Sequence, residues 1–315
     1  MKKENKKIFI ILGPTSSGKT SLGLDLCKKF NGEIISADSR QVFKFMDVGT
    51  GKIPVNSKVE IERGDKFWLL DGIKVWGYDL VTPDQYFSGY DFAEFALKKA
   101  KEIYDSGKTM FLVGGTGFYI DLFTGKVQPS KVLPDLELRT SLEELSLSDL
   151  QRKLQSLDRG AFEEIDKKNK VRLVRAIEKS LSKNINDKEL SYLRDFEFVH
   201  IGLNTPREVL YKRSDLWVEY IWKNNIVGEV NRLCDLGYGE SPKIKGLVYK
   251  TVLEYIRGGI NENEAIERIK FDIHAYVRRQ LTWFKKNEEI DWVDITKDDF
   301  REIIYNKVEE KIKNG

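Results

Sequence analysis

Ile8-Phe9-Ile10-Ile11-Leu12 runs directly into Gly13-Pro14-Thr15-Ser16-Ser17-Gly18-Lys19-Thr20, and this stretch decides the fold. Successive apolar residues of this kind read as a strand buried on both faces. The octet that follows has the spacing of a phosphate-binding loop, in which glycines at both ends let backbone N–H groups converge on phosphate oxygens. Lys19 is placed to reach the outer phosphates of a di- or triphosphate, and the Thr20 hydroxyl to ligate Mg²⁺. Ser21-Leu22-Gly23-Leu24-Asp25-Leu26 then opens a helix whose N-terminal dipole faces the anion.

Outward from this loop, Ile34-Ile35-Ser36-Ala37, Phe67-Trp68-Leu69-Leu70, Met110-Phe111-Leu112-Val113 and Phe198-Val199-His200-Ile201-Gly202-Leu203 read as buried strands. Helical spacing alternates with them. Phe92, Phe95, Ala96, Ile103 and Tyr104 form one such stripe, with Ser88 or Asp91 as its cap and Gly107 just past its end. The expected fold is therefore α/β, a P-loop NTPase-like parallel sheet core flanked by helices. From Asp121 to about Asp195 the strand signal vanishes, and a leucine-rich, charged stretch begins after Val132-Leu133-Pro134-Asp135. It reads as an inserted all-helical domain over residues 123–195, between core segments 1–122 and 196–315. Beyond it, Thr205-Pro206-Arg207-Glu208 has the form of a capping box, and Leu210, Trp217, Tyr220 and Ile221 supply the apolar side of the helix it starts. A last long helix is expected to turn Ile266, Ile269, Ile273, Tyr276, Val277 and Phe284 inward, with Arg279, Thr282 and Lys286 on another face.

No apolar run in the 315 residues approaches the ~18 needed to cross a membrane, and the opening Met1–Lys7 leads into a strand rather than an apolar signal segment. A cytoplasmic protein is expected. Cys27 and Cys234 lie far apart and His200 and His274 are the only histidines, so no zinc-type ligand spacing exists. The net charge of +3 conceals 53 basic and 50 acidic residues, so only their distribution bears on partners. Lys167–Arg175 and Arg278–Lys286 are locally basic, as a phosphate backbone would require. Arg172, Arg175 and Lys179 share one helix face opposite Leu173, Val174, Ile177 and Leu181, a pattern that a solvated stripe satisfies equally well.

A P-loop alone leaves kinase, NTPase and other phosphate chemistry open. Asp38-Ser39-Arg40-Gln41 follows the second strand, where open α/β sheets place their sites. By position, Asp38 could be a base, a helper to a metal ion or the cap of the next turn. After Val113, the segment Gly114-Gly115-Thr116-Gly117 replaces the Asp that an ordinary NTPase favours there. Its glycines would permit close backbone approach by a ligand, with the Thr116 hydroxyl beside it.

Taken in order and spacing, GPTSSGKT, EIISADSRQVFKFMDVGTGK, VGGTGFYI, VRLVRAIE and RRQLTWFKK resemble the bacterial tRNA dimethylallyltransferase family from Ile8 to about Lys286. The resemblance implies transfer of a dimethylallyl group from dimethylallyl diphosphate to the N6 amine of the adenosine adjacent to the tRNA anticodon. It implies Asp38 as the base, with Lys19, Thr20-bound Mg²⁺ and an arginine, Arg213 in the looser part of the alignment, supporting the leaving diphosphate. It also implies tRNA contacts at Asp38, Ser39, Arg40 and Gln41, at Thr116 and Arg139, along Val171-Arg172-Leu173-Val174-Arg175, and at Arg279. The anticodon arm of tRNA and the diphosphate donor are then the partners; neither a membrane nor a protein partner is implied. Rival expectations on the same P-loop are an adenylate isopentenyltransferase, a small-molecule kinase and a non-enzymatic RNA-binding module. Three segments depart from the family pattern. Val75-Trp76-Gly77-Tyr78-Asp79 stands for a His-His-Leu-Ile-Asp, Leu247-Val248-Tyr249-Lys250-Thr251 for an Ile-Gly-Tyr-Lys-Glu, and Ile273-His274 for a Thr-Arg.

Overall fold

A computed structural model of the chain describes residues 6–54, 59–130, 132, 134–182 and 190–314. Met1 to Asn5 and Leu133, which entered the sequence expectations, lie outside them. The chain divides into a unit made of Met1–Val127 with Ser191–Gly315 and a second unit, Gln128–Leu190. The divisions fall inside the bounds expected from sequence because the helix Gly117–Thr124 still packs on the first unit's helix Gly89–Asp105.

In chain order the first unit opens with β1 (Lys6–Leu12), α1 (Lys19–Phe30), β2 (Gly32–Ser36), β3 (Ile61–Arg63), β4 (Phe67–Leu70), β5 (Ile73–Trp76), α2 (Gly89–Asp105), β6 (Thr109–Gly114) and α3 (Gly117–Thr124). The helical unit contributes α4 (Leu136–Glu143), α5 (Leu147–Leu157), α6 (Arg159–Glu164) and α7 (Lys170–Leu181). The first unit then resumes with β7 (Phe196–Asn204), α8 (Arg207–Lys223), α9 (Ile226–Asp235), α10 (Leu247–Ile256), α11 (Glu262–Phe284), β8 (Asp291–Asp294) and α12 (Phe300–Lys313).

Among the described residues the sheet has the order β3-β4-β5-β2-β6-β1-β7-β8. From β5 to β8 every pairing is parallel, while β3-β4 and β4-β5 are antiparallel. The hairpin joining β4 to β5 turns on Asp71 and Gly72, both at positive φ (50° and 75°), the conformation that matches strand twist in a two-residue loop. Phe67–Leu70 is thus a strand as expected, but it belongs to this hairpin rather than to the parallel core. The apolar runs of β1 and β6 are buried without alternation because helices cover both faces. On α1, Gly23 permits close packing, since a Cβ there would stand 3.0 Å from Val113 Cγ2.

Ser88 caps α2 through a reciprocal capping box with Asp91, as its sequence indicates. The box expected at Thr205 does not form. Helix α8 starts from Pro206 with no side-chain cap, so the proline lies one residue before the first helical turn. On α11 the buried side chains are Ala265, Ile269, Ile273, Val277, Gln280, Leu281 and Phe284. Ile266 and Tyr276 are only half-buried, and Lys286 lies beyond the helix. In the helical unit Leu142, Leu150, Leu154, Leu173, Val174 and Ile177 form a core of their own. Leu181, expected on that apolar side, is exposed at the end of α7.

Candidate active site

The phosphate loop leaves β1 at Gly13, whose φ of 149° only glycine adopts readily; a Cβ there would also meet the Leu203 carbonyl at 2.5 Å. Ser16 (φ 62°) and Gly18 (φ 87°) are left-handed, which curls the backbone before α1 begins at Lys19. Ser17 Oγ is buried and has no hydrogen-bond partner among the described residues. Such a group costs free energy unless a ligand or water satisfies it, and inside this loop an anion's oxygen is the matching acceptor. Lys19 Nζ donates to the Pro14 carbonyl at 2.6 Å, folding its ammonium back over the loop. Burial lowers the Lys19 pKa to about 8, with the Asp38 carboxylate opposing the shift.

Asp38 sits just past the C-terminal end of β2. Its Oδ1 accepts the Arg40 N–H at 2.8 Å, so it does cap the following turn. Burial raises its pKa, while the Arg40 amide and the Lys19 charge pull the other way. A carboxylate below the protein surface yet open to a cavity is suited to accept a proton nearer neutrality than an ordinary aspartate. Thr116 joins the neighbouring loops: its Oγ1 accepts the Ser39 N–H at 3.0 Å and its own N–H donates to the Ala37 carbonyl at 3.1 Å. Arg40 donates to the Lys243 carbonyl and lies over the Tyr249 ring. Gln41 is buried, accepting from Ser36 Oγ at 2.6 Å and donating to the carbonyls of Thr50 and Gly51.

The glycines at and after the end of β6 have close protein neighbours. A Cβ on Gly114 would lie 2.2 Å from the Ala37 carbonyl, on Gly115 2.4 Å from Gln280 Nε2, and on Gly117 2.2 Å from Trp283 Cδ1. Close packing against the segment after β2 and against α11 thus requires glycine at all three positions. Gly114 and Gly115 also line the cavity, whereas Gly117 does not.

The cavity itself is about 700 Å³. It is lined by Thr15 to Ser21 and Arg213, by Asp38 and Arg40 after β2, by Leu216, Trp217 and Tyr220 of α8, and by Ile34, Val75 and Val113 of the sheet. Trp217 and Tyr220 were expected in the core by their spacing, but they line this space instead. Arg213 lies beside the loop: a Cβ on Gly18 would stand 3.5 Å from its Nη2.

Several residues that sequence reasoning passed over hold these loops. Glu229 accepts the backbone N–H groups of Asp47, Val48 and Gly49 and the Tyr249 hydroxyl. Lys52, wholly buried, donates to Asp47 at 2.8 Å, Asp79 at 2.5 Å and the Phe43 carbonyl at 2.8 Å. Gln280 accepts the Thr15 N–H at 2.9 Å and donates to the Gly115 carbonyl at 3.0 Å. Among the described residues no three His, Cys, Asp or Glu side chains cluster as a metal site. Mg²⁺ commonly keeps waters and takes few protein ligands beside a substrate's phosphates, so the Thr20 hydroxyl in this cavity is compatible with it.

In the helical unit the arginine stripe divides. Arg139 pairs with both oxygens of Glu178 at 2.9 Å, and Arg175 pairs with the same carboxylate and with the Val132 carbonyl. Burial would push the Glu178 pKa up, but the two guanidiniums hold it below its usual value. Leu173 and Val174 are core, so their side chains cannot touch a nucleic acid as the matching segment suggested. Val171, 77% exposed, and Arg172 face outward from α7. On α11 Arg279 is exposed beside the Tyr276 ring.

The sequence matches the family model of the IPP transferases over residues 41–287. The chain belongs to that family. It is 38% identical over 304 residues to a tRNA dimethylallyltransferase of Acetivibrio thermocellus, spanning 93% of this chain and 92% of that protein. The crystal structure of the tRNA isopentenylpyrophosphate transferase of Bacillus halodurans superposes with a TM-score of 0.70 at 30% identity, covering 99% of this chain and 98% of that one. A eukaryotic dimethylallyltransferase acting on tRNA shares the fold, with a TM-score of 0.74, 21% identity, and coverage of 98% and 80%. This IPP transferase is accordingly an enzyme with a P-loop NTPase-like core, as the sequence indicated.

Its departures from the family pattern have local partners. Trp76 donates to Glu33 at 2.6 Å, and Asp79 accepts from Trp68 as well as Lys52. His274 stacks on Tyr211 with ring centroids 4.0 Å apart and shares a 2.7 Å hydrogen bond with Asp215. None of these removes a group from the phosphate loop or from Asp38.

Proposed function

We propose that this IPP transferase moves a dimethylallyl group from dimethylallyl diphosphate to the N6 amine of the adenosine adjacent to the tRNA anticodon, releasing diphosphate. The observation that carries the reading is one cavity holding both a phosphate cradle, with an unpartnered buried Ser17 hydroxyl, and a carboxylate of raised pKa at Asp38. Adenine's amine is a weak nucleophile because its lone pair is delocalised into the ring. As N6 bonds to the allylic carbon and the C–O bond breaks, the Asp38 carboxylate accepts the amine proton. The electron pair of the broken bond leaves with the diphosphate. Backbone N–H groups of residues 16–20, Lys19 and Arg213 stabilise that charge. Mg²⁺, held by Thr20 and the diphosphate oxygens, would supply further charge neutralisation there. Leu216, Trp217 and Tyr220 give the prenyl chain an apolar wall and exclude water from the reactive carbon.

The base must leave its stack to reach Asp38, at the cost of a few kcal/mol that is lowest in an unpaired loop. An anticodon arm offers such a loop. Arg40 and Gln41 line the cavity that receives the base, with Ser39 and Thr116 hydrogen-bonded to one another in the adjoining loops, while Val171, Arg172 and Arg279 are exposed for RNA contact. A cytoplasmic location fits a tRNA substrate, and no helix among the described residues is long and apolar enough to cross a membrane. Mass spectrometry of tRNA nucleosides after incubation with dimethylallyl diphosphate and Mg²⁺ tests the reading. N6-prenylated adenosine in the anticodon arm is expected; prenylated AMP with unmodified tRNA, or phosphate transfer from ATP, would overturn it.

A further inference from the structure

Gln280 lies on α11 and is 6% exposed, and its amide hydrogen-bonds to residues far from its own helix. It is fixed between two loops of the site. Because the Thr15 N–H can only donate and the Gly115 carbonyl only accept, the amide orientation is set by its partners: Oε1 toward Thr15, 2.9 Å, and Nε2 toward Gly115, 3.0 Å. The next residue, Thr116, holds the Ser39 N–H at 3.0 Å, and Ser39 follows Asp38. One chain of contacts thus runs from the phosphate loop through Gln280 and Thr116 to the carboxylate. Gly115 is glycine where a Cβ would stand 2.4 Å from Gln280 Nε2, so this approach is built into the backbone.

We propose that Gln280 is a positioning residue that sets the spacing between the diphosphate loop and the Asp38 loop. The proposal rests on the reading of the cavity as the site of a diphosphate donor. Gln280 touches no reacting atom. It fixes Thr15 at the lip of the cradle against the loop that carries the base, and a misplacement of about 1 Å between reacting groups can cost on the order of 100-fold in rate.

Two variants test this. In Gln280→Glu the protonated acid can still accept from Thr15 and donate to Gly115, whereas the carboxylate repels the Gly115 carbonyl and places a negative charge beside the cradle. Calorimetry with inorganic pyrophosphate and Mg²⁺ should show the ratio of variant to wild-type Kd rising roughly tenfold or more from about pH 5.5 to 8.5. Taking the ratio at each pH cancels the titration of pyrophosphate itself. In Gln280→Met, similar in length but without either polar end, the single-turnover rate at saturating donor and tRNA should fall about 10- to 100-fold while tRNA affinity holds. If Gln280→Glu does not fold, Gln280→Met decides alone. Failure of the wild-type protein to bind pyrophosphate would sink the donor-site reading. Normal wild-type binding, with a flat ratio near one and a Gln280→Met rate within about twofold of wild type, would sink the positioning role alone.

Discussion

Replacing Asp38 by asparagine removes the proposed base while leaving its turn in place. The side-chain oxygen that accepts the Arg40 N–H at 2.8 Å survives in Asn, so the loop geometry should be kept. Loss of a positioned general base costs roughly 10²–10⁴ in rate, or about 2.7–5.4 kcal/mol of barrier at ~1.36 kcal/mol per tenfold. Stability should move the other way. A carboxylate whose folded pKa is raised by burial binds its proton more tightly in the folded state, so the protein loses stability as pH climbs from the unfolded value through the folded one. Above that window the penalty is fully present, and Asn, which cannot ionise, removes it. The expected signature at neutral pH is therefore a slowed chemical step with an unchanged or higher Tm, the pattern of a residue retained for chemistry at the expense of stability. Asp38 also opposes the burial that lowers Lys19, so the variant's ammonium should deprotonate at a lower pH. The assay is accordingly single turnover near pH 7 with saturating donor, with pyrophosphate binding measured alongside. A rate within about threefold of wild type would remove Asp38 from the base role, and a Tm loss that tracks the rate loss would make it structural.

Three other outcomes follow from the same geometry. Donor affinity should weaken as pH rises through the Lys19 pKa of about 8, because the charged ammonium is present below it and lost above it; a Kd for pyrophosphate that is flat across that range in wild type, or that has the same pH dependence in Lys19→Ala, would refute this. Glu178→Ala should destabilise the helical unit by roughly 1–3 kcal/mol, less than the ~3–5 typical of breaking a fully buried pair, because Arg139 and Arg175 remain partly solvated. Denaturant unfolding measures it, and no change in midpoint would show that the triad is dispensable. Arg172→Ala should weaken tRNA binding and flatten the slope of log affinity against log salt by somewhat under about one unit, with pyrophosphate binding unchanged; an unaltered slope would mean that Arg172 only solvates its helix.

The phosphate loop was legible because its function lies in backbone geometry, and glycine spacing encodes that geometry directly. The β4-β5 hairpin was equally encoded, in Asp71-Gly72 between two β-rich runs, and that signal is what would have found β5. The short edge strands β3 and β8 leave little trace, since β3 is exposed throughout and β8 buries one residue of four. Gln280 is a different case. Its meaning depends on partners 265 and 165 positions away in sequence, and helical periodicity could only assign it to a basic motif beside Arg278 and Arg279.

The arginines of α7 show where a charge pattern misleads and what corrects it. Spacing put Arg172 and Arg175 on one helix face, and both read as available to RNA. Glu178 follows Arg175 by one helical turn, however, and it packs with the buried side of the helix. A carboxylate there cannot stay ionised in the core without cations, so Arg175 and Arg139 are drawn onto it from either side. Arg172 is exposed, as is its neighbour Val171. An exposed apolar residue beside an exposed cation can make van der Waals contact with a sugar or base while the cation neutralises a phosphate, which a purely solvated stripe has no use for. On the proposed reading the RNA-facing part of α7 is its first turn, and the double replacement of Val171 and Arg172 should cost more tRNA affinity than that of Arg175, whose loss should register first as lowered stability of the helical unit.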